Sequence, residues 1–215
     1  MDFTEVVNRR HSTRDFTDQP VTPTILREIV QEAQQSASWA NAQPWQVVIA
    51  TGETLKRIRE HHRQMSWQGI VGNADLTVAH RTEWPQGAQQ NIATWNAAFS
   101  QHLRQVGNGA GNFQDNLFNA TAVAYLTLKR PVNEWEVFDL GAFAQLLALS
   151  ATNRGVQSIP AYELIKYPDM LRQLLGLDAS NRFIMGIALG YESQQPINQF
   201  RSSRVPTAAM LTLKD

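Results

Sequence analysis

"RFIMGIALGYE", Arg182–Glu192, decides how the rest of this chain is read. A strand with one wet face alternates apolar and polar residues, and this run does not alternate. It is predicted as a long strand at the centre of a sheet, covered on both faces. Its apolar part, Phe183–Leu189, is far too short to span a bilayer.

Working outward, "ATAVAYLTLKRP", Ala120–Pro131, reads as a second strand closed by Pro131. "FDLGAFAQLLALSATNRG", Phe138–Gly155, is the most apolar helix, with Asp139 as a candidate cap and Gly155 as a left-handed stop. A helix apolar all round is buried under a sheet or in a subunit interface. "YPDMLRQLLGL" is another helix, with Pro168 in its first turn and Gly176 after it. Nearer the start, "VTPTILREIVQEAQQSA" is a helix capped by Thr22, and "PWQVVIATG" a strand ending at Gly52. "ETLKRIREHHRQM" is an amphipathic helix with Leu55, Ile58 and His62 on one side, and "DFTEVVNRR" a short helix.

Residues 66–116 are harder to read. "NADLTVAHR" is predicted as a strand, and "GAQQNIATWNAAFSQHLRQV" as a helix with Ile92, Trp95, Phe99 and Leu103 along one face. "GNGAG", Gly107–Gly111, has no strand before it and no helix after it, so it is read as a mobile loop rather than a dinucleotide fingerprint. From Ser193 onward the chain reads as an extended arm lying on another surface. With about four strands and about five or six helices that do not alternate strictly, the fold class is α+β: one domain over 1–215, a mixed sheet covered by helices.

Composition narrows the functions. The 215 residues are 43 % apolar, and 19 Lys plus Arg balance 19 Asp plus Glu. Bulk charge therefore favours neither nucleic acid nor an anionic membrane, and any anion site must be local. The chain has 0 cysteines, so disulfides, thiolate metal sites and a cysteine nucleophile are excluded. No leader-like opening is read, and a soluble cytoplasmic protein is the expectation. The 6 tryptophans are expected as core or interface anchors, and their concentration between Trp39 and Trp95 leaves room for an aromatic-lined pocket.

Three segments depart from plain scaffold. In "NRRHSTRDF", Asn8–Phe16, the residues Arg10, Ser12 and Arg14 alternate, so in an extended segment they share one side. Two guanidiniums and a hydroxyl on one side make a phosphate receptor, since the planar fork of Arg bonds phosphate oxygens in pairs. Arg9 points the other way, toward solvent. "NQFRSSRVP" carries Arg201 and Arg204 outside the core. "SASWANAQPW", Ser36–Trp45, brings small and amide residues to the start of a strand, where backbone can approach a flat polar ring. No metal constellation is expected: His61 and His62 are adjacent, and His80 and His102 isolated. No nucleophile elbow is present, so a cofactor is the natural carrier of any chemistry.

Together these segments resemble the FMN-dependent nitroreductase family. The matching pieces, in order, are "RRHSTRDF", "SASWANAQPW", "RGVQSIPAY" as a Gly-x-x-Ser-x-Pro type turn, "MGIALGYE", and the Asn198–Arg204 arm. The resemblance covers the two outer thirds of the chain. It implies a mixed, mainly antiparallel sheet covered by helices, in an obligate homodimer with an extended C-terminal arm and with the 138–154 helix at the interface. It implies FMN as cofactor, with Arg10, Ser12, Arg14 and Arg204 on its phosphate and ribityl chain and His11 touching it through backbone or ring. Ser38, Trp39, Ala40 and Asn41 would approach it from the partner subunit. Ile159, Pro160 and Ala161 would lie beside the ring nitrogen that accepts hydride.

The implied activity is a ping-pong reduction of nitroaromatic, quinone or similar electron-poor small molecules by NAD(P)H, with no catalytic side chain. A flavin-dependent dehydrogenase or ene-reductase of one metabolite and a non-catalytic FMN-binding protein are the alternatives. Trp39 stands where smaller residues are usual and would narrow the pocket. Ala161-Tyr162 stands where some members have Glu-Gly. The middle third matches poorly.

Overall fold

A computed structural model describes residues 1–107 and 113–215. Its sheet holds β1 (Gln46–Thr51), β2 (Ala122–Lys129), β3 (Gln157–Ala161) and β4 (Asn181–Gly190), in the order β1-β2-β4-β3. The strand read from "RFIMGIALGYE" is thus interior. All three ladders are antiparallel, and the parallel element is the isolated Ser12–Ser158 bridge.

Two apolar layers explain why β4 lacks alternation. On one face Ile184, Ile187 and Leu189 join Ala124, Leu126 and Leu128 of β2. On the other, Phe183 and Ala188 join Val123 and Tyr125. The register shifts between Leu126 and Thr127, whose partners are Met185 and Phe183. That bulge leaves Ile184 unpaired and turns it and Met185 to the same face. Gly186 is required by packing: a Cβ there would stand 2.4 Å from the Cβ of Leu164.

Six α-helices are defined among the described residues: α1 (Phe3–Arg9), α2 (Pro23–Ala33), α3 (Gly52–Trp67), α4 (Gln86–Val106), α5 (Glu134–Asn153) and α6 (Pro168–Leu175). α2 and α5 cover the first face. Thr22 caps α2 by accepting the Ile25 N–H, and Leu26, Ile29 and Ala33 turn inward. Leu140, Phe143, Leu147 and Ala151 do the same for α5, each large apolar side chain contributing about 1.5–3 kcal/mol on burial. α3 and α6 cover the second face, α3 through Leu55, Ile58 and His62. Gly155 (φ 72°) and Gly176 (φ 67°) supply the left-handed stops after α5 and α6.

Several expectations change. Asp139 does not cap α5: the helix starts at Glu134, where Asn133 and Glu136 form a capping box. "NADLTVAHR" is not a strand. Asp75 near its start is half-buried, and its covered carboxylate accepts from Arg130, Arg172 and the Phe183 N–H, while its carbonyl accepts from Arg182. Those bonds fix an irregular loop across the end of β4. The 157–161 segment, read as a turn, is β3. Pro160 is tolerated there because β3 is an edge strand. No tryptophan is buried in the single chain, and Trp39, Trp67, Trp84 and Trp135 are exposed. Residues 108–111 of the "GNGAG" stretch lie outside the described residues. The described helices include none long and apolar enough to cross a membrane.

Candidate functional site

α1 ends at Arg9, which pairs with Glu5 at 3.1 Å as a surface residue. The chain then runs extended, and its side chains alternate. Thr13 and Asp15 turn inward and are buried. Thr13 N–H donates to the Ser158 carbonyl at 3.1 Å, and the Asp15 carboxylate accepts from Asn119 at 2.7 Å and from Ser193. Arg10, Ser12 and Arg14 are left on the opposite side.

The far end of the chain meets them through Asn198. This buried amide accepts the Arg14 N–H at 2.7 Å and the Asp15 N–H at 3.2 Å, and donates to the Asp15 carbonyl at 2.8 Å. Arg201 and Arg204 follow it, and together with Arg10, Ser12 and Arg14 they line a cavity of about 580 Å³. The sequence-predicted phosphate residues are therefore together. Arg201 lay in the same quoted segment, but nothing local showed that it faces Arg14.

The charge here is unmatched. No ion pair among the described residues involves Arg10, Arg14, Arg201 or Arg204. Arg14, Arg201 and Arg204 donate to backbone carbonyls instead. Burial lowers the pKa of both Arg10 and Arg14, and the nearby charges of Arg204 and Arg201 lower them further. Arginine stays protonated regardless, so the repulsion is held in the fold until an anion relieves it. His11 also lines the cavity, but its ring nitrogens sit 2.8 Å from the Arg9 carbonyl and 3.0 Å from Glu192, which leaves its backbone for a ligand.

Arg14 joins this cavity to a second one of about 620 Å³. Its guanidinium lies 4.8 Å from the Phe99 ring centre and 5.6 Å from that of Phe200. Trp95, Phe99 and Phe118 wall the second cavity, with Ile159 and Ala161 at the end of β3. Pro160 points to the other face of the sheet, into a pocket of about 270 Å³ under α5 that also touches Arg10. Strand alternation thus separates Pro160 from its neighbours. A cationic pocket opening into an aromatic one suits a ligand with a phosphate at one end and a flat ring at the other.

At the far rim of the second cavity, the charges are paired. Glu163 lies 3.2 Å from His62 and 2.9 Å from Lys166. Burial pushes the Glu163 carboxyl up, but the hydrogen bonds from His62 and Lys166 outweigh it, and the net direction is down.

Ser38, Trp39, Ala40 and Asn41 are elsewhere. They form an exposed turn beside the start of α5, where the Trp39 N–H donates to Asp139 at 3.0 Å and its ring lies 5.1 Å from Trp135. They line neither cavity that holds Arg14. The adjoining face of α5 is apolar and uncovered, with Trp135 59 % and Phe138 70 % exposed, and Phe3 of α1 76 % exposed.

Comparison with known proteins gives a consistent result. A family model described as "Nitroreductase family" matches residues 7–191. A 4-nitrobenzoate reductase of Pseudomonas putida is 26 % identical over 94 % of this chain and 91 % of its own length. A chloronitrobenzene nitroreductase of Comamonas testosteroni is 24 % identical over 94 % and 92 %. Among solved structures, the FMN-dependent nitroreductase NfnB of Mycobacterium smegmatis, crystallised with NADPH, superimposes with a TM-score of 0.88 at 22 % identity, covering 100 % of both chains.

Proposed function

This chain belongs to the nitroreductase family, and on that footing we propose that it is an FMN-dependent oxidoreductase that uses NAD(P)H to reduce electron-poor small molecules such as nitroaromatics and quinones. The observation that carries the reading is the set of guanidiniums at Arg10, Arg14, Arg201 and Arg204, which face one cavity without a carboxylate among the described residues. FMN fits the two joined cavities: a phosphate for the arginines and a flat ring for the aromatic walls. Relatives named for nitroaromatic reduction favour the same class.

When bound, FMN would supply the redox chemistry between NAD(P)H and an electron-poor acceptor. The chain's own residues bind and orient. Arg10, Ser12 and Arg204 hold the phosphate end, and His11 contributes its backbone. Arg14, at the junction of the cavities, would present positive charge to the ring end of the cofactor. Ile159 and Ala161 form the floor beneath the reacting centre, with Pro160 bracing it from the α5 side. Trp95, Phe99 and Phe118 exclude water and select flat apolar acceptors.

The functional unit is a homodimer of single-domain subunits. An uncovered apolar stripe on α5 and α1, Trp135, Phe138 and Phe3, is the surface a second copy would cover. Association along it would bring Ser38, Trp39, Ala40 and Asn41 of each subunit to the other's cavity and give the arm after Asn198 a surface to lie on.

The test is the visible spectrum of the purified protein, before and after NADH or NADPH under anaerobic conditions, followed by addition of a nitrobenzoate or a quinone. Bound flavin that either nicotinamide bleaches and the acceptor restores supports the reading. A colourless protein that gains no flavin absorbance with added FMN overturns it. Flavin that neither nicotinamide bleaches leaves a binding protein, and flavin bleached but not restored by these acceptors leaves a dehydrogenase or ene-reductase.

A further inference from the structure

The turn at 38–43 is strained in a way its own bonds do not explain. Ala40 (φ 46°), Asn41 (φ 60°) and Gln43 (φ 47°) all lie in the left-handed region, and none is glycine. A side chain with a Cβ is disfavoured there, and such strain persists only where surrounding structure over-determines it. Within the turn, the bonds are short-range: Asn41 N–H and Gln43 N–H both return to Ser38.

The outside restraint comes from α5. Asp139 is only 4 % exposed and accepts the Trp39 N–H at 3.0 Å. It forms no ion pair among the described residues. A buried carboxylate without a cation is costly, so its retention calls for a local use. One turn earlier, on the same side of the helix, the Trp135 ring lies 5.1 Å from that of Trp39 at an interplanar angle of 43°. Trp135 in turn meets Phe138 edge-on at 6.5 Å. Trp39 is therefore gripped twice by α5, by its backbone N–H and by its ring.

We propose that Asp139 and Trp135 are positioning residues that hold Trp39 and so fix the strained conformation in which the 38–41 turn closes over FMN bound in the partner subunit. The inference rests on the functional reading above, which supplies the FMN and the dimer. α5 then has two linked duties. It presents the apolar stripe that a second copy covers, and it sets the turn that the second copy's cavity receives. The Trp39 side chain makes the second grip: its ring reaches Trp135 while its N–H reaches Asp139.

The experiment uses the full chain with FMN removed, and two readings. Circular dichroism of the flavin-free dimer reports the Trp39–Trp135 ring pair as an exciton couplet, and titration with FMN gives its affinity. Asp139→Ala should remain dimeric by size-exclusion chromatography, lose the couplet, and bind FMN about tenfold more weakly, the loss expected for one hydrogen bond to a charged group. Asp139→Asn retains an oxygen that accepts the Trp39 N–H and should restore both readings. A folded Asp139→Ala dimer with the couplet and FMN affinity of the natural chain overturns the inference. So does Asp139→Asn behaving as badly as Asp139→Ala, because charge rather than the Trp39 bond would then matter. Should Asp139→Ala fail to fold, Trp135→Leu decides by affinity: it keeps an apolar side chain on the stripe that the second copy covers while removing the ring pair with Trp39, and unchanged FMN binding in that dimer overturns the inference. A natural chain that binds no FMN overturns the functional reading and this inference with it, whereas normal binding in every variant overturns this inference alone.

Discussion

The two ends of the joined cavities treat charge in opposite ways. At one end Arg10, Arg14, Arg201 and Arg204 crowd together, and burial and mutual repulsion push the first two down. At the other, Glu163 pairs with Lys166 at 2.9 Å and lies 3.2 Å from the His62 ring. Arg10 and Arg14 are half-buried, as is Glu163, so each end draws charge out of water. The difference is one of completion. The Glu163 end is finished within the chain and serves the fold, whereas the arginine end is left open for a ligand. Here the several guanidiniums that converge on one cavity without a carboxylate, and not burial of charge alone, set the arginine end apart.

The contrast is broken most severely at Asn198. This amide is 3 % exposed and bonds to Arg14, Asp15 and Ser193. Asn198→Ala leaves buried backbone donors unpaired, and thermal or urea unfolding should show a loss of about 2–4 kcal/mol. FMN binding should collapse with it, because the arm carrying Arg201 and Arg204 is no longer docked.

Arg10→Ala separates binding from stability. FMN affinity measured by titration should fall by about 1.5–3 kcal/mol, the value of a charge-assisted hydrogen bond. Stability of the flavin-free protein should hold or rise, since a repulsive neighbour of Arg204 is removed. A parallel loss of stability would contradict the unpaired character of this end.

The mildest effect is expected at Glu163. Its carboxyl is depressed in the fold, so the stability it contributes is present above its ordinary range and lost as the pH falls through the lowered value. Glu163→Gln should flatten that acid limb of the stability–pH curve and leave FMN affinity near that of the natural chain. An unchanged acid limb would mean that the paired end contributes nothing.

Legibility in the sequence followed the range of the interaction. β2, β4, α2 and the glycine stops of α5 and α6 rest on apolar runs and caps, which are local. β3 was hidden because it is short and contains Pro160, and it is a strand only because β4 and Ser12 flank it. Leu76 and Val78 imitate a strand pattern, but Asp75 between distant arginines overrides it. Asp139 stands before an apolar run and imitates a cap, while its actual partner, Trp39, is 100 residues away. Within the site, the alternation of Arg10, Ser12 and Arg14 could be read directly. The joining of Arg201 to Arg14 depends on Asn198, a contact no local pattern encodes.

That Asn198 contact spans 184 residues of chain, from Arg14 to the segment beyond β4. Every strand of the sheet precedes Asn198 in the order of synthesis. A nascent chain can therefore assemble its sheet and both apolar layers before either half of the arginine cluster meets the other, and closure of so long a loop comes late. Ligand capture by the complete arginine cluster therefore waits on docking of the Asn198 segment, and flavin uptake by ribosome-bound or truncated chains would report that docking.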